Sequence, residues 1–136
     1  TTMHKPSLIA ASIFGSTAVI IGAFAAHALK KVLPVDALQT IETAVRYQMY
    51  HAIVLLMLCL SNTWISAKSI KRIYRLLLSG ILCFSGSIYI LIFLKSYQVI
   101  GLSGIGIITP IGGILLILAW ILLLIEAYKF KENSSK

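Results

Sequence analysis

Two histidines, an arginine and a glutamate lie within or beside long apolar segments of the chain. If residues 42–51 are helical, Glu42, Arg46 and Tyr50 share one face, and Tyr47 and His51 form a second pair about 100° around the helix. An arginine can pair with a carboxylate or a phosphate, and a histidine can relay a proton or bind a ligand. These residues are therefore the first candidates for binding chemistry.

The sequence leaves several roles open for these side chains. Glu42 and Arg46 could form a polar site, or they could only join a surface helix to the span that follows it. His51 could be a neutral, hydrogen-bonded residue of the bundle, a proton relay, or a ligand for a polar headgroup. Together with His27 it could also hold a haem or a metal ion.

The composition of the 136-residue chain restricts its class. Hydrophobic residues make up 59% of it and charged residues only 12%, with a mean hydropathy of +0.95. Soluble domains carry roughly a quarter charged residues, so residues 1–136 are expected to form a single transmembrane domain without a large catalytic part. The net charge of +8 comes from basic residues that flank apolar runs. This distribution indicates contacts with membrane lipids and is not typical of nucleic-acid binding.

Four apolar segments are long enough to cross a membrane, at about residues 7–29, 43–65, 76–94 and 107–128. Between the first two, Pro34 interrupts any helix, and Val35, Leu38 and Ile41 recur at three-residue spacing. This spacing predicts a short helix along the membrane surface. The sequence thus predicts an all-α, integral membrane four-helix bundle with a short interfacial helix between the first and second spans.

Lysine and arginine residues are distributed unevenly between the two sides of such a bundle. Eight lie at the termini and in the loop between the second and third spans, whereas three, Lys30, Lys31 and Lys95, lie on the opposite side. Cytoplasmic segments of membrane proteins carry the excess of Lys and Arg. Both termini are therefore expected to be cytoplasmic.

Depth in the membrane, estimated from a rise of about 1.5 Å per residue, places the unusual polar residues in the outer half of the bundle. Isolated polar groups are costly in hydrocarbon, so we expect these residues to gather in one cluster that opens outward. The predicted binding residues are His27, Glu42, Arg46, Tyr47, Tyr50, His51, Ser85, Ser87, Tyr89, Thr109 and Pro110.

Small residues recur at spacings of three and four on the predicted helices, which permits close helix packing in a membrane. Gly15 and Gly22 belong to such a series on the first helix, and Gly112 and Gly113 lie early in the fourth. We interpret all four glycines as packing positions.

The residue pattern gives no sign of catalysis or of a bound cofactor. It contains no phosphate-binding loop, catalytic triad, paired carboxylates or repeat of metal ligands. Cys59 and Cys83 lie inside apolar runs and share no metal-type spacing, so we interpret them as small buried hydrophobic residues. We therefore expect no enzymatic activity, no cofactor and no metal ion.

Four stretches of the sequence together resemble a known family. They are residues 22–29 (GAFAAHAL), 42–51 (ETAVRYQMYH), 84–89 (FSGSIY) and 109–113 (TPIGG), the last followed by Trp120. This combination is similar to the domain-of-unknown-function family 423, with relatives called transmembrane protein 256-like, and it covers about residues 7–128. The resemblance implies a small four-span protein of the bacterial inner membrane and supplies no biochemical activity.

The function that these observations favour is a non-enzymatic accessory or interaction subunit. It would bind a protein partner or a membrane lipid through the outward-facing polar cluster, and it could form a homo-oligomer. Two alternatives stay open. One is a small-solute or proton-coupled transporter that uses His51 with Arg46, and the other is a haem or quinone redox protein that needs His27 and His51 on facing helices.

Overall fold

The structure is a computed structural model, and it describes residues 2–97 and 104–130. Its five α-helices are α1 (Lys5–Ala26), α2 (Val35–Leu58), α3 (Ala67–Ile81), α4 (Ser87–Ser96) and α5 (Ile105–Lys129). A π-helical turn, Leu82–Gly86, joins α3 to α4 without a break, and 3₁₀ turns occupy Leu29–Lys31 and Ser61–Thr63. The described residues contain no strand, which confirms the all-α prediction.

Local sequence signals explain where the helices begin. Pro6 lies in the first turn of α1, where a proline costs no intrahelical hydrogen bond. Pro34 precedes α2 in an extended conformation, and the carboxylate of Asp36 in the first turn is favourable to the helix dipole. At the start of α3, the Ser66 hydroxyl accepts a hydrogen bond from the Ser69 amide over 3.2 Å, which caps the helix.

α1 and α2 form one antiparallel pair. Next to the start of α1, the His4 amide donates to the Cys59 carbonyl just beyond α2, over 2.9 Å. Further along, the Gln48 side chain of α2 donates to the Phe14 carbonyl over 2.9 Å and to the Thr17 hydroxyl over 2.7 Å. The start of α1 therefore lies beside the end of α2.

The continuous α3–α4 segment and α5 form the other antiparallel pair. Ser69 of α3 donates to the Glu126 carboxylate of α5 over 2.9 Å, and Ser87 of α4 contacts Thr109 near the start of α5. The His4 ring also contacts Tyr74 of α3. The bundle thus has a basic end, where α1 and α3 begin and α2 and α5 end, and a distal end, where α1 and α4 end and α2 and α5 begin.

The apolar core lies in the half of the bundle nearer the basic end. α3 contributes most to it because its apolar residues recur at spacings of three and four, which is typical of an amphipathic helix. Its buried residues include Ile70, Ile73, Leu77 and Ile81, which pack with Leu55 and Leu58 of α2 and Leu116 and Ala119 of α5. Burial of this stripe leaves the basic side chains of α3 exposed.

Gly112 makes the closest helix contact among the predicted packing glycines. A Cβ at this position would lie 2.7 Å from the carbonyl carbon of Cys83 and 2.8 Å from the Cα of Phe84, both in the π turn. These are backbone atoms that cannot move aside, so only glycine fits here. At the neighbouring Gly113, a Cβ would be 3.8 Å from the Phe84 ring, which is an ordinary contact.

The other two predicted packing glycines differ from each other. A Cβ at Gly22 would be 3.3 Å from the Val45 side chain, which is a tight contact between α1 and α2. At Gly15 a Cβ would meet nothing within 4 Å. The close packing predicted at Gly15 is therefore not formed by the described residues, because the helix faces open space there.

Helix boundaries differ from the prediction in the middle of the chain. The expected interfacial helix is not a separate element, because Val35–Leu58 is one continuous helix whose first turns contain residues 35–42. No helix breaker follows Pro34, so nothing ends the helix before the apolar run. The sequence predicts spans at 43–65 and 76–94, but α2 ends at Leu58 and α3 already begins at Ala67.

Among the described residues, three helical segments have the length and apolar composition to cross a membrane: Lys5–Lys31, Ala67–Ser96 and Ile105–Lys129. α2 is also long, with 24 residues, but polar residues between Glu42 and His51 lower its hydropathy. The fold is a helical membrane bundle in which α2 carries most of the unusual polar side chains.

Candidate functional site

The buried side chain of Gln48 connects three helices. Its amide nitrogen donates to the Phe14 carbonyl and the Thr17 hydroxyl of α1. Its amide oxygen accepts a hydrogen bond from the Tyr89 hydroxyl of α4 over 2.8 Å. Both polar atoms of the amide are therefore used within the fold, and Gln48 acts as a junction between α1, α2 and α4.

His51 is buried and connects α2 to α5. The Trp120 indole nitrogen donates to Nε2 of His51 over 3.1 Å. Because an indole nitrogen is only a donor, Nε2 is unprotonated, and Nδ1 carries the proton and donates to the Tyr47 carbonyl over 2.6 Å. This geometry supports the structural role for His51, since a proton relay or an axial ligand would need one of these nitrogens to be released.

Hydroxyl groups connect the π turn and α4 to their neighbours. Ser85 donates to the Ala44 carbonyl of α2 over 2.7 Å. Ser87 donates to the Phe84 carbonyl over 3.0 Å, and its hydroxyl also contacts that of Thr109 in α5. In the part of the chain that the structure describes, no buried side-chain nitrogen or oxygen lacks a hydrogen-bond partner. The buried polar side chains are thus satisfied by one another and by the backbone.

Glu42 and Arg46 lie on an exposed face of α2. The guanidinium nitrogen of Arg46 is 3.5 Å from the carboxylate of Glu42, and the two side chains are 64% and 56% exposed, respectively. Tyr47 and Tyr50 are exposed beside them, with ring centroids 6.1 Å apart. We call these four residues the α2 polar face.

The residues predicted to form one cluster therefore divide into two sets. An internal set holds the helices together and contains His51, Ser85, Ser87, Tyr89 and Thr109, together with Gln48. The α2 polar face holds Glu42, Arg46, Tyr47 and Tyr50. His27 lies exposed just after α1, and Pro110 lies exposed within α5. That any of these residues binds a ligand or a partner stays a prediction.

Two members of the hydrogen-bonded network, Gln48 and Trp120, are missing from the predicted site. Helical spacing could have identified Gln48, because Ala44, Gln48 and Leu55 recur on the buried face of α2 at spacings of four and seven. Trp120 lies in a segment that is otherwise apolar, and its indole N–H needs an acceptor when it is inserted in a bundle. In the structure this acceptor is His51, so the need for an acceptor could have linked Trp120 to His51.

The basic end holds another cluster outside the predicted site. Nδ1 of His4 lies 2.8 Å from the hydroxyl of the buried Ser7, and the His4 ring meets Tyr74 edge-on with centroids 5.3 Å apart. Partial burial of the imidazole, together with the charge of Lys71, lowers the pKa of His4. The residues before α1 are therefore fixed against α3, in a place where added positive charge is disfavoured.

The fold and the polar contacts define a small helical membrane protein, and comparison with known sequences gives its family. Residues 21–113 match the family described as "Protein of unknown function (DUF423)". The chain belongs to this family. No solved structure matches the chain.

Its relatives are membrane proteins of similar length. The UPF0382 membrane protein YwdK of Bacillus subtilis is 37% identical over 127 residues, which cover 93% of this chain and 98% of the relative. A UPF0382 membrane protein of Haemophilus influenzae is 38% identical over 134 residues, covering 96% and 99%. A third, SAB0533 of Staphylococcus aureus, is 37% identical over 127 residues, covering 93% and 98%. These names identify membrane proteins and give no activity.

Proposed function

We propose that this protein is a non-enzymatic interaction subunit of the cell membrane, and that its α2 polar face binds a second copy of the chain. The observation that carries the proposal is the exposure of Glu42 and Arg46, whose side chains are 56% and 64% accessible. The other polar residues of this part of α2, Gln48 and His51, are engaged in internal contacts. The charged pair is therefore available for contact with another polypeptide.

The expected depth of this pair favours a protein partner over lipid. A hydrocarbon core about 30 Å thick takes about 20 helical residues. Counted back from Leu58, where α2 ends, such a core would begin near position 39. Glu42 would then lie about 5 Å and Arg46 about 10 Å inside it. Charged side chains in hydrocarbon are costly, at about 3 kcal/mol each on insertion scales, and a protein interface covers them.

A second copy suits this face because its charges are self-complementary. Two chains related by a twofold axis along the membrane normal would place their α2 helices side by side at equal depth. Glu42 of each chain would then be level with Glu42 of the other and one helical turn from its Arg46, so that each guanidinium could contact the carboxylates of both chains. Tyr47 and Tyr50 add aromatic surface, which is enriched at the centres of protein interfaces.

Disulfide crosslinking in membranes tests this arrangement. Thr43 is exposed and shares its side of α2 with Tyr50, seven residues away. It is replaced by cysteine in a background in which Cys59 and Cys83 are alanine. The matched control is Ile117→Cys on an exposed part of α5. We expect a covalent homodimer from Thr43→Cys and monomer from the control. If Thr43→Cys crosslinks to a different protein, the partner is that protein and not a second copy. Monomer from both variants would contradict the docking role.

The two alternative functions both depend on His51. A proton-coupled transporter would use it as a relay, and a haem or quinone protein would use it with His27 as a ligand. His51 is held at both ring nitrogens by Tyr47 and Trp120, whereas His27 is exposed at the end of α1. These contacts do not favour either alternative, so the interaction subunit is the function that we propose.

A further inference from the structure

An apolar groove runs between α1 and α3, starting at the basic end. Its volume is about 330 Å³, within the range of about 300–1,000 Å³ that is common for small-molecule sites. From Lys5 to Phe14 it follows α1 for about 14 Å, at a rise of about 1.5 Å per residue. The walls are formed mainly by Ile9, Ile13, Phe14, Tyr74 and Leu78, and Lys5 lies at the basic end.

Basic side chains lie at and near this end of the groove. Lys71, Tyr74, Arg75 and Leu78 share one face of α3, because they lie three and four residues apart. Tyr74 and Leu78 line the groove, so Lys71 and Arg75 flank it. Lys71 is also close enough to His4 to repel positive charge there.

Among the residues that the structure describes, these cations have no acidic counterpart. Among residues 2–97 and 104–130, the ion pairs are Arg46 with Glu42 and Lys129 with Glu126, and neither includes Lys5, Lys71 or Arg75. The carboxylate of Glu126 also accepts a hydrogen bond from Ser69. Three positive charges at one end of the groove repel one another, so an anion placed among them would be stabilised.

We propose that the groove binds one anionic phospholipid, with its phosphate among Lys5, Lys71 and Arg75 and an acyl chain along the apolar wall. The charged end of the groove coincides with the end of a candidate membrane span, Lys5–Lys31, where lipid phosphates lie. A free phosphate would use the cations and leave the apolar wall empty. A zwitterionic lipid would fill the wall and gain less from the cations. This site lies between α1 and α3 and is independent of the α2 polar face.

Native mass spectrometry tests the site on the full chain, exchanged in mild detergent with equal amounts of phosphatidylglycerol and phosphatidylcholine. We expect one retained phosphatidylglycerol per chain, in excess over phosphatidylcholine by about tenfold or more. Equal retention of the two lipids, or loss of both, would overturn the proposal. This measurement needs no variant, so it does not depend on the folding of a mutant.

Two variants then locate the bound lipid. The double variant Lys5→Gln, Lys71→Gln should remove most of the excess of phosphatidylglycerol over phosphatidylcholine, because only Arg75 then remains at the site. Ile13→Trp, which fills the groove, should remove both lipids. The control Lys30→Gln, Lys31→Gln removes the same number of charges at the distal end and should retain phosphatidylglycerol. An equal loss in the control would place the lipid elsewhere. Displacement of the lipid by millimolar glycerol phosphate would also contradict the proposal, because it would show an anion site that makes no use of the groove.

Discussion

Arg46 and Gln48 are two positions apart on α2, and this spacing puts their side chains about 200° apart around the helix. Arg46 is exposed and pairs with Glu42 over 3.5 Å. Gln48 is buried and contacts Phe14, Thr17 and Tyr89. Neighbouring polar residues in one short run therefore have different roles, and the roles follow from the face on which each residue lies.

Replacing Gln48 with leucine tests the internal junction. The change removes the acceptor of the Tyr89 hydroxyl and the donor to Thr17, and a buried hydroxyl left without a partner costs about 1–3 kcal/mol. We expect a loss of that size in the free energy of unfolding, measured by denaturant titration in detergent micelles. Gln39→Leu, at an exposed position of the same helix, is the control and should change little. Similar small effects in both variants would show that the junction does not stabilise the fold.

His4 should make the stability of the basic end depend on pH. Its folded-state pKa is lowered from the ordinary value of 6.5 by partial burial and by Lys71. Below about pH 6.5, the unfolded chain therefore binds a proton at His4 more readily than the folded chain does, and the free energy of unfolding falls as the pH falls, until the pH passes below the folded-state pKa. We expect His4→Gln to reduce this decline in unfolding titrations between pH 7.5 and pH 5. If His4→Gln leaves the decline unchanged, other titratable groups cause the fall in the free energy of unfolding.

The packing of α5 against the π turn depends on Gly112. An added methyl group would strike the backbone of Cys83 and Phe84, so α5 would have to move away from the turn. We expect Gly112→Ala to lower the free energy of unfolding by about 1–3 kcal/mol, the usual range for overpacking. In Gly15→Ala the new methyl group meets open space, and better helix propensity should leave the stability equal or raise it by up to about 1 kcal/mol. Equal losses in the two variants, measured by thermal unfolding, would contradict this view of the contact.

The sequence identifies the helices better than it identifies their ends. Long apolar runs predict α1 and α5 closely, because nothing in those segments competes with a membrane span. α3 begins earlier than expected, since Ile70, Ile73 and Leu77 are interleaved with basic residues and only helical periodicity reveals them. The π turn at Leu82–Gly86 depends on contacts with α2 and α5, such as Ser85 with Ala44 and the approach of Gly112, which no local pattern encodes.

For the whole molecule, the estimated depth in the membrane predicts which polar residues lie close together. It does not predict the direction in which their side chains point. Ser85, Ser87, Tyr89 and Thr109 do make polar contacts with one another or with α2. Glu42 and Arg46 lie on the exposed face of α2, and because Val35–Leu58 is one continuous helix, the pair does not join two elements. Rotation about a helix axis is set by packing, so residue depth alone cannot supply it.

The orientation of the bundle in the membrane is a prediction that labelling can check. The exposed Lys68 lies at the basic end and the exposed Lys31 at the distal end. Because the basic end carries most of the Lys and Arg residues, we expect it to face the cytoplasm. In a background without native cysteines, Lys31→Cys should react with a membrane-impermeant maleimide added to intact cells, and Lys68→Cys should react only after lysis. The reverse pattern would invert the topology.

A charge swap, read by energy transfer between labelled chains in vesicles, tests directly whether Glu42 and Arg46 hold two copies of the chain together. Glu42→Arg should weaken dimerisation by about tenfold or more, because all four charged groups at the interface are then positive. Arg46→Glu should weaken it similarly. The double variant Glu42→Arg, Arg46→Glu restores two positive and two negative groups at the interface and should recover most of the dimer. Wild-type dimerisation in the single variants, or a double variant as defective as they are, would contradict the claim.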